Sequence, residues 1–447
     1  MRVRRAIFLF FVFVTTESFA QTKGGKYYSI QEALRDSVSV RYLSLTDGNL
    51  IDLPIDLLKL KNLEEIDIEK NPNLDIQQVI NLLADFSKLK KIFISDVKHL
   101  IIPKEIGRLK KLEELDLSND ELTQLPIEIL QLKKLKEIDI GSDPSLNLSQ
   151  TLSLLSQIKS LRVLWLSNDK LTDIPEEISG FNNLEDLWLD GNEFTTIPES
   201  VKKLHIKYLS LFDNHIKQIS LERGDLSNLS NINLCYNEFQ VFPIQLSILP
   251  KLVRITMWYN PVKLIPKEIE NLKNIRDINL DNNEIAKIPP QMSKLKSLTK
   301  LSLGGNKLTS EDMDALFNLT NLGELNLNSN MVTKLPEDIG NLKHLKHLDI
   351  SGNLLKGLPK EILKLKKLEQ LGMGDMQEFD WVSTFSILQQ LPNLKRVGMY
   401  SMKLQKMPVG FENLSQVDVF WLNGNSFDNE EQQRLKNLLP HSTLTFD

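Results

Sequence analysis

Residues 184–198 read LEDLWLDGNEFTTIP, that is L-x-x-L-x-L-x-x-N-x-F-x-x-I-P, and near copies return about every 23 residues from Val40 to the C-terminus. A fixed period of that length marks a solenoid, in which each repeat forms one coil. Within L-x-L the alternation has period two, so Leu187 and Leu189 point inward while Trp188 points to the opposite face. Asn192 stands where the strand must bend away, and its amide can bond the backbone of neighbouring turns. Phe194 and Ile197 return to the core. Pro198 then sets φ for a turn into a short helical segment, whose Val201 and Leu204 close the coil. One coil cannot bury its own apolar edge. Stacked neighbours bury it jointly, at roughly 1.5–3 kcal/mol for each fully buried large aliphatic side chain.

Working outward, seventeen segments open with a leading apolar residue, from Val40 and Leu63 through Leu184 and Leu252 to Val417. The chain resembles the leucine-rich-repeat family over nearly its whole length. Its ordinary repeats, LPIEILQLKKL at 125–135 and LPKEILKLKKL at 358–368, resemble the 23-residue Leu-Pro subclass of bacterial and Ras-group members. That resemblance implies an α/β solenoid, a horseshoe with a parallel concave β-sheet and short helices or 3-10 turns on the convex side. The repeats are expected to fill 40–427. Residues 21–39 and 428–447 are read as caps, because Ser29 and Glu32 fit a capping box and Asp428-Asn429-Glu430-Glu431 opens a helix that Pro440 stops. Leu444 and Phe446 are expected to pack back onto the last coil.

Residues 1–20 lie outside this scheme. Arg2, Arg4 and Arg5 precede an apolar run from Ala6 to Val14, and Ser18-Phe19-Ala20 resembles a cleavage site, which together predict a secretory signal peptide. The run is too short to span a bilayer, so no membrane span is expected after cleavage. Cys235 is the one cysteine, which excludes a disulfide framework. Secretion or a periplasmic location fits, and the intracellular GTPase scaffolding of some relatives is not carried over. The whole chain has a formal charge of −5; residues 1–20 hold three Arg and one Glu, so 21–447 carries −7. That balance argues against nucleic-acid partners.

Repeat length carries a second signal. The intervals from Leu63, Leu135 and Leu368 are 26 residues, and NPNLDIQQVINLL at 71–83 parallels DPSLNLSQTLSLL at 143–155. In these, and in MQEFDWVSTFSIL at 376–388, apolar residues at helical spacing replace Leu-Pro. Blocks 63–134 and 135–206 therefore read as a duplication. Asparagine at the bend gives way to Asp120, Asp143 and Asp169 in three coils, and to Gly48, Val97, Met376 or Met402 in others. Where Val or Met stands, irregular backbone is expected at 94–100 and 373–402 unless water or other groups substitute for the amide.

The concave face is set by the residue between the paired leucines and the two that follow. Most coils place small polar residues there, such as Asp67, Asp116, Asp139 and Asn279. The middle five place Trp165, Trp188, Phe212, Tyr236, Trp258 and Tyr259, with Asp190, Asp213 and Asp281 beside them and Asp186 and Asp277 at the edge. Aromatics with polar tips at solvent-facing positions point to a partner-binding surface for a protein, peptide or glycan. An aromatic ladder that stiffens the sheet is the bland counterpart. Near the C-terminal end, Gly372, Gly374 and Gly398 with Met373, Met376, Met399 and Met402 suggest either a soft pocket or a degenerate repeat.

Catalytic and metal patterns are not recognisable. His344 and His347 flank a strand start rather than share a helix, and the phosphate-loop motif is missing. Cys235 takes a concave position with no histidine nearby in sequence. Asn147, Asn228, Asn318 and Asn413 open N-x-S/T sequons, which arise easily in Asn-rich repeats. The chain therefore reads as an exported, non-enzymatic recognition protein without a cofactor. The alternative is a structural or adhesion spacer of the cell envelope, and an enzyme is remote.

Overall fold

A computed structural model describes residues 25–376 and 378–446; the expected signal peptide lies outside them. The described residues form one sheet of nineteen parallel strands, each two or three residues long. The central residue of each coil's strand faces the core: Leu164, Leu187, Leu209, Ile232 and Ile255 are all buried. Strands pair in register, so that Trp165 meets Trp188, which meets Ser210, then Asn233, then Thr256. Short strands suffice because each coil supplies the same pleat to the next, and a parallel sheet needs its inner face covered. The convex side provides that cover.

In ordinary coils proline leads into a five-residue 3-10 turn, as at Ile127–Gln131 after Pro126, and one apolar residue, here Ile129, is driven inward. The three 26-residue coils differ for a simple reason. Three extra residues give room for full eight-residue α-helices at Ile76–Leu83, Leu148–Leu155 and Trp381–Leu388. Each is capped by a side chain that accepts from the backbone three residues on: Asp75 from Gln78 N, Asn147 from Gln150 N and Asp380 from Ser383 N. The Asn147 sequon thus has a structural use.

The bend asparagines act as expected. Asn192 Oδ1 accepts from Asp169 N and Leu171 N at 3.0 Å, and its Nδ2 donates to Leu166 O at 2.8 Å and Leu189 O at 3.0 Å. Each amide therefore serves the coil before it as well as its own. This explains why the irregularity expected around Val97 and Met402 does not reach the sheet. Val97 N donates to Asp120 Oδ1 at 2.8 Å, and Met402 N and Leu404 N both donate to Asn425 Oδ1. Strands Lys91–Phe93 and Arg396–Gly398 keep their register with both neighbours.

The ends carry the expected helix caps and add a strand each. Ser29 caps the helix Ile30–Arg35, and Asp428 caps Asn429–Leu438 by accepting from Glu431 N at 2.8 Å. Lys26–Tyr27 and Thr443–Thr445 each add a strand to the sheet, so the terminal segments extend the ladder as well as cover it. Among the described residues no helix is long and apolar enough to cross a membrane.

Candidate functional site on the concave face

The structure places all six concave aromatics on one side of the sheet but in two groups. Trp165 and Trp188, brought together by strand register, stack with centroids 4.0 Å apart and planes 13° apart. Tyr208 joins them, 4.7 Å from Trp188. The sequence reading missed Tyr208, although its place two residues after the leading Ile206 makes it a concave strand residue. Phe212, Tyr236, Trp258 and Tyr259 form the second group, with neighbouring centroids 4.7–5.8 Å apart.

Phe212 and Trp258 belong to coils two apart, yet their rings come within 5.8 Å of each other. The residue at the same position in the coil between them is Cys235, which is fully buried. The rings lean together over the small thiol. Burial pushes the Cys235 thiol well above its usual range, with Thr256 hydrogen-bonded to it, so it is a poor nucleophile despite its concave position. Beneath the seam between the two groups lies a polar floor. Asn233 Nδ2 donates to Ser210 Oγ at 3.1 Å, Thr256 Oγ1 to Asn233 Oδ1 at 3.3 Å, and both Ser210 and Asn233 are buried. Burial also raises the Tyr208 hydroxyl, with Asp190 adding to the shift.

The acids divide in the same way. Asp190 is buried and accepts from Phe212 N at 3.0 Å; burial lifts its carboxyl to about 7. Asp281 accepts from Ser302 Oγ and Gly304 N, at 2.6 Å each, and is mostly buried. Asp277 pairs with Arg254 Nε at 2.9 Å. Asp213 alone of these faces solvent openly, at the edge of Tyr236. Asp190 and Asp281 therefore hold loop backbone, whereas Asp213 is available to a ligand.

Backbone geometry singles out two of the aromatics. The residue seven places after the leading one has positive φ in every one of the seventeen coils, from Asp47 to Gly424. It is Gly, Asn, Asp, Ser or Lys in fifteen of them, types that tolerate or commonly occupy the left-handed region at turns. In the other two it is Tyr236, with φ 52°, and Tyr259, with φ 54°. Bulky residues there are outliers, at a cost on the order of 1 kcal/mol each. These two side chains stack on each other, 4.7 Å apart and 20° between planes, and are 40% and 48% exposed. Strain has been kept where a smaller residue would serve the fold better.

The second candidate, near the C-terminal end, is filled rather than hollow. A Cβ on Gly374 would lie 2.5 Å from ring carbons of Tyr400, and one on Gly398 would lie 3.3 Å away. The glycines make room for that ring to lie flat on the sheet. Met373, Met376 and Met399 are core residues and Met402 is partly buried, so no soft pocket forms. Elsewhere His344 Nδ1 lies 3.0 Å from Thr320 O, and among the described residues no cluster of ligating side chains could hold a metal.

A family model described as leucine-rich repeat region matches residues 283–442, and one described as leucine rich repeat matches 183–204. No curated protein sequence matches the chain. Among solved structures, a leucine-rich-repeat protein from Leptospira interrogans is similar at 31% identity, covering 94% of this chain and 99% of its own, with a TM-score of 0.65. TLR13, solved in complex with ssRNA13, has 23% identity over 92% of this chain and 64% of its own, with a TM-score of 0.63. An internalin, InlF, from Listeria monocytogenes has 19% identity over 81% and 88%, with a TM-score of 0.47.

Proposed function

Because this chain belongs to the leucine-rich-repeat family, we propose that it is an exported, non-enzymatic recognition protein. It binds a protein, peptide or glycan through the concave aromatics Trp165, Trp188, Phe212, Tyr236, Trp258 and Tyr259, with Asp213 exposed and Asp190 buried beside them. In this reading residues 1–20 are a signal peptide removed on export to the periplasm or exterior. Residues 21–39 and 428–447 cap the repeats of 40–427, which are of the 23-residue Leu-Pro type.

The observation that carries the proposal is the pair Tyr236 and Tyr259. Exposed, stacked tyrosines held in left-handed backbone are hard to explain by stability alone, because asparagine or glycine fills the same position in other coils. Exposed rings with polar tips give a partner large contact area at little entropic cost. The net charge of −7 for 21–447 argues against a polyanionic ligand, so the RNA of the TLR13 complex is not carried over.

The test compares immobilised wild type with Tyr236→Asn/Tyr259→Asn and with Trp188→Ala and Trp258→Ala, after exposure to the medium or periplasm of its own host. Specific capture that the tyrosine variant loses while keeping wild-type melting supports recognition. Equal capture by all four removes the patch. The spacer reading has one observation in its favour, the tight stacking of Trp165 on Trp188 across adjacent strands. It predicts a melting loss for Trp188→Ala and no specific capture by any form.

A further inference from the structure

Three consecutive coils place Asp120, Asp143 and Asp169 at the bend, where every coil from Asn192 to Asn353 places asparagine. Asparagine does two jobs there. Its oxygen accepts backbone N–H groups of the preceding coil, and its NH2 donates to carbonyls of both coils, as Asn237 does to Leu211 O at 2.8 Å and Leu234 O at 3.3 Å. A carboxylate can do only the first. Asp143 Oδ1 accepts from Asp120 N at 3.0 Å and Leu122 N at 2.9 Å, and Asp169 Oδ1 accepts from Asp143 N at 2.6 Å. The second oxygens of Asp120 and Asp143 are fully buried and have no hydrogen-bond partner among the described residues. By repeat position each occupies the place of the asparagine NH2, among carbonyl oxygens, where an unprotonated oxygen meets only acceptors.

We propose that these three aspartates form a proton-operated latch, in which each replaces asparagine fully only in its acid form. Proton uptake tightens coils 94–171; proton loss loosens them. The charged groups that face the latch add to the effect. Asp96, Asp116 and Asp143 face Asp120, Asp116 faces Asp143, and Asp143 faces Asp169. All are acids, so no cation offsets ionisation at these contacts.

Burial pushes Asp120 up to about 9, Asp143 to about 6 and Asp169 to about 7, against backbone N–H groups that pull the other way. The folded-state values lie above the usual carboxylate value of 3.8, so the folded chain binds more protons than the unfolded one. The stabilisation is then fully present below about pH 4 and is lost in steps as pH rises towards about 9. This opposes the usual acid denaturation of salt-bridged carboxylates.

The test is amide hydrogen exchange of the full chain at pH 5 and pH 8, corrected for intrinsic rates. The Leu122 and Asp120 amides, which donate to Asp143, are compared with the Ile216 amide, which donates to Asn237 at 2.9 Å. Protection at Leu122 and Asp120 is expected to fall about tenfold or more between the two pH values, while Ile216 changes little. Asp120→Asn/Asp143→Asn, which restores the common residue and so keeps the fold, should abolish the fall. Asn237→Asp should create it at Ile216. An equal change at all three wild-type amides, or a fall that survives in the double Asn variant, overturns the latch.

Discussion

The coils bearing Asp120, Asp143 and Asp169 and those bearing Asn192 to Asn353 pair through three-residue strands and each hold a left-handed residue just before the bend. At the bend they differ in one group, a carboxyl oxygen standing where the amide NH2 does. In the asparagine coils the bend is satisfied at any pH, because an amide both donates and accepts. In the aspartate coils the same backbone is satisfied only while a proton stays on a buried oxygen. Equal geometry is therefore not equal stability, and the inequality depends on solution conditions.

The largest expected effect comes from breaking an asparagine coil outright. Asn260→Leu strands Phe239 N, whose bond Asn260 Oδ1 accepts at 3.2 Å, and removes one of the two amide donors from each of the carbonyls of Leu234 and Met257. It should cost about 3 kcal/mol in urea unfolding, and a loss below about 1 kcal/mol would mean the ladder is redundant. Next, Asp120→Asn/Asp143→Asn should stabilise the chain by about 2 kcal/mol at pH 8. At pH 5 the gain should shrink, since both acids are buried and then largely protonated. Equal gains at both pH values would sever the comparison from proton binding. Smaller again, Tyr236→Asn should leave melting unchanged or raise stability by about 1 kcal/mol by relieving left-handed strain. A clear destabilisation would show that the tyrosine packs for the fold. The smallest effect is a surface control on the asparagine coils themselves. Breaking the exposed pair Lys307–Glu284, 2.7 Å apart, should leave the urea midpoint indistinguishable from wild type.

Much of this was legible in the letters. The period predicted seventeen strands with inward leucines, and the L-x-L rule placed Trp165, Trp188 and Trp258 on the concave wall. The 26-residue spacing flagged the three coils with full helices. What stayed hidden depends on contacts between coils. Sequence assigns Cys235 a concave position but cannot show two rings of neighbouring coils closing over it. It gives Gly372, Gly374 and Gly398 as empty space, whereas the Tyr400 ring fills the space beside Gly374 and Gly398 and the Asp349 carboxylate fills that beside Gly372. It grouped six aromatics as one patch, because the 23-residue step does not reveal that Ser210 and Asn233 form a floor between two clusters. Tyr208 was readable from its strand position and was passed over for residues nearer the paired leucines. The left-handed backbone at Tyr236 and Tyr259 was also within reach, since Gly, Asn and Asp dominate that position elsewhere.

The shared register has a consequence for length. Each coil touches the one before and the one after, and its strand aligns with theirs residue for residue. Excising a whole ordinary coil, for example 275–297, would bring Ile255 beside Leu301 with the sheet still in register. Single residues gained or lost are absorbed on the convex side, since Leu187 still pairs with Leu209 across a 22-residue step and Leu301 with Leu325 across a 24-residue step. The sheet, unlike the loops behind it, can thus grow or shrink only by whole strands, and the distance between the aromatic wall and either terminus is a quantity counted in integers.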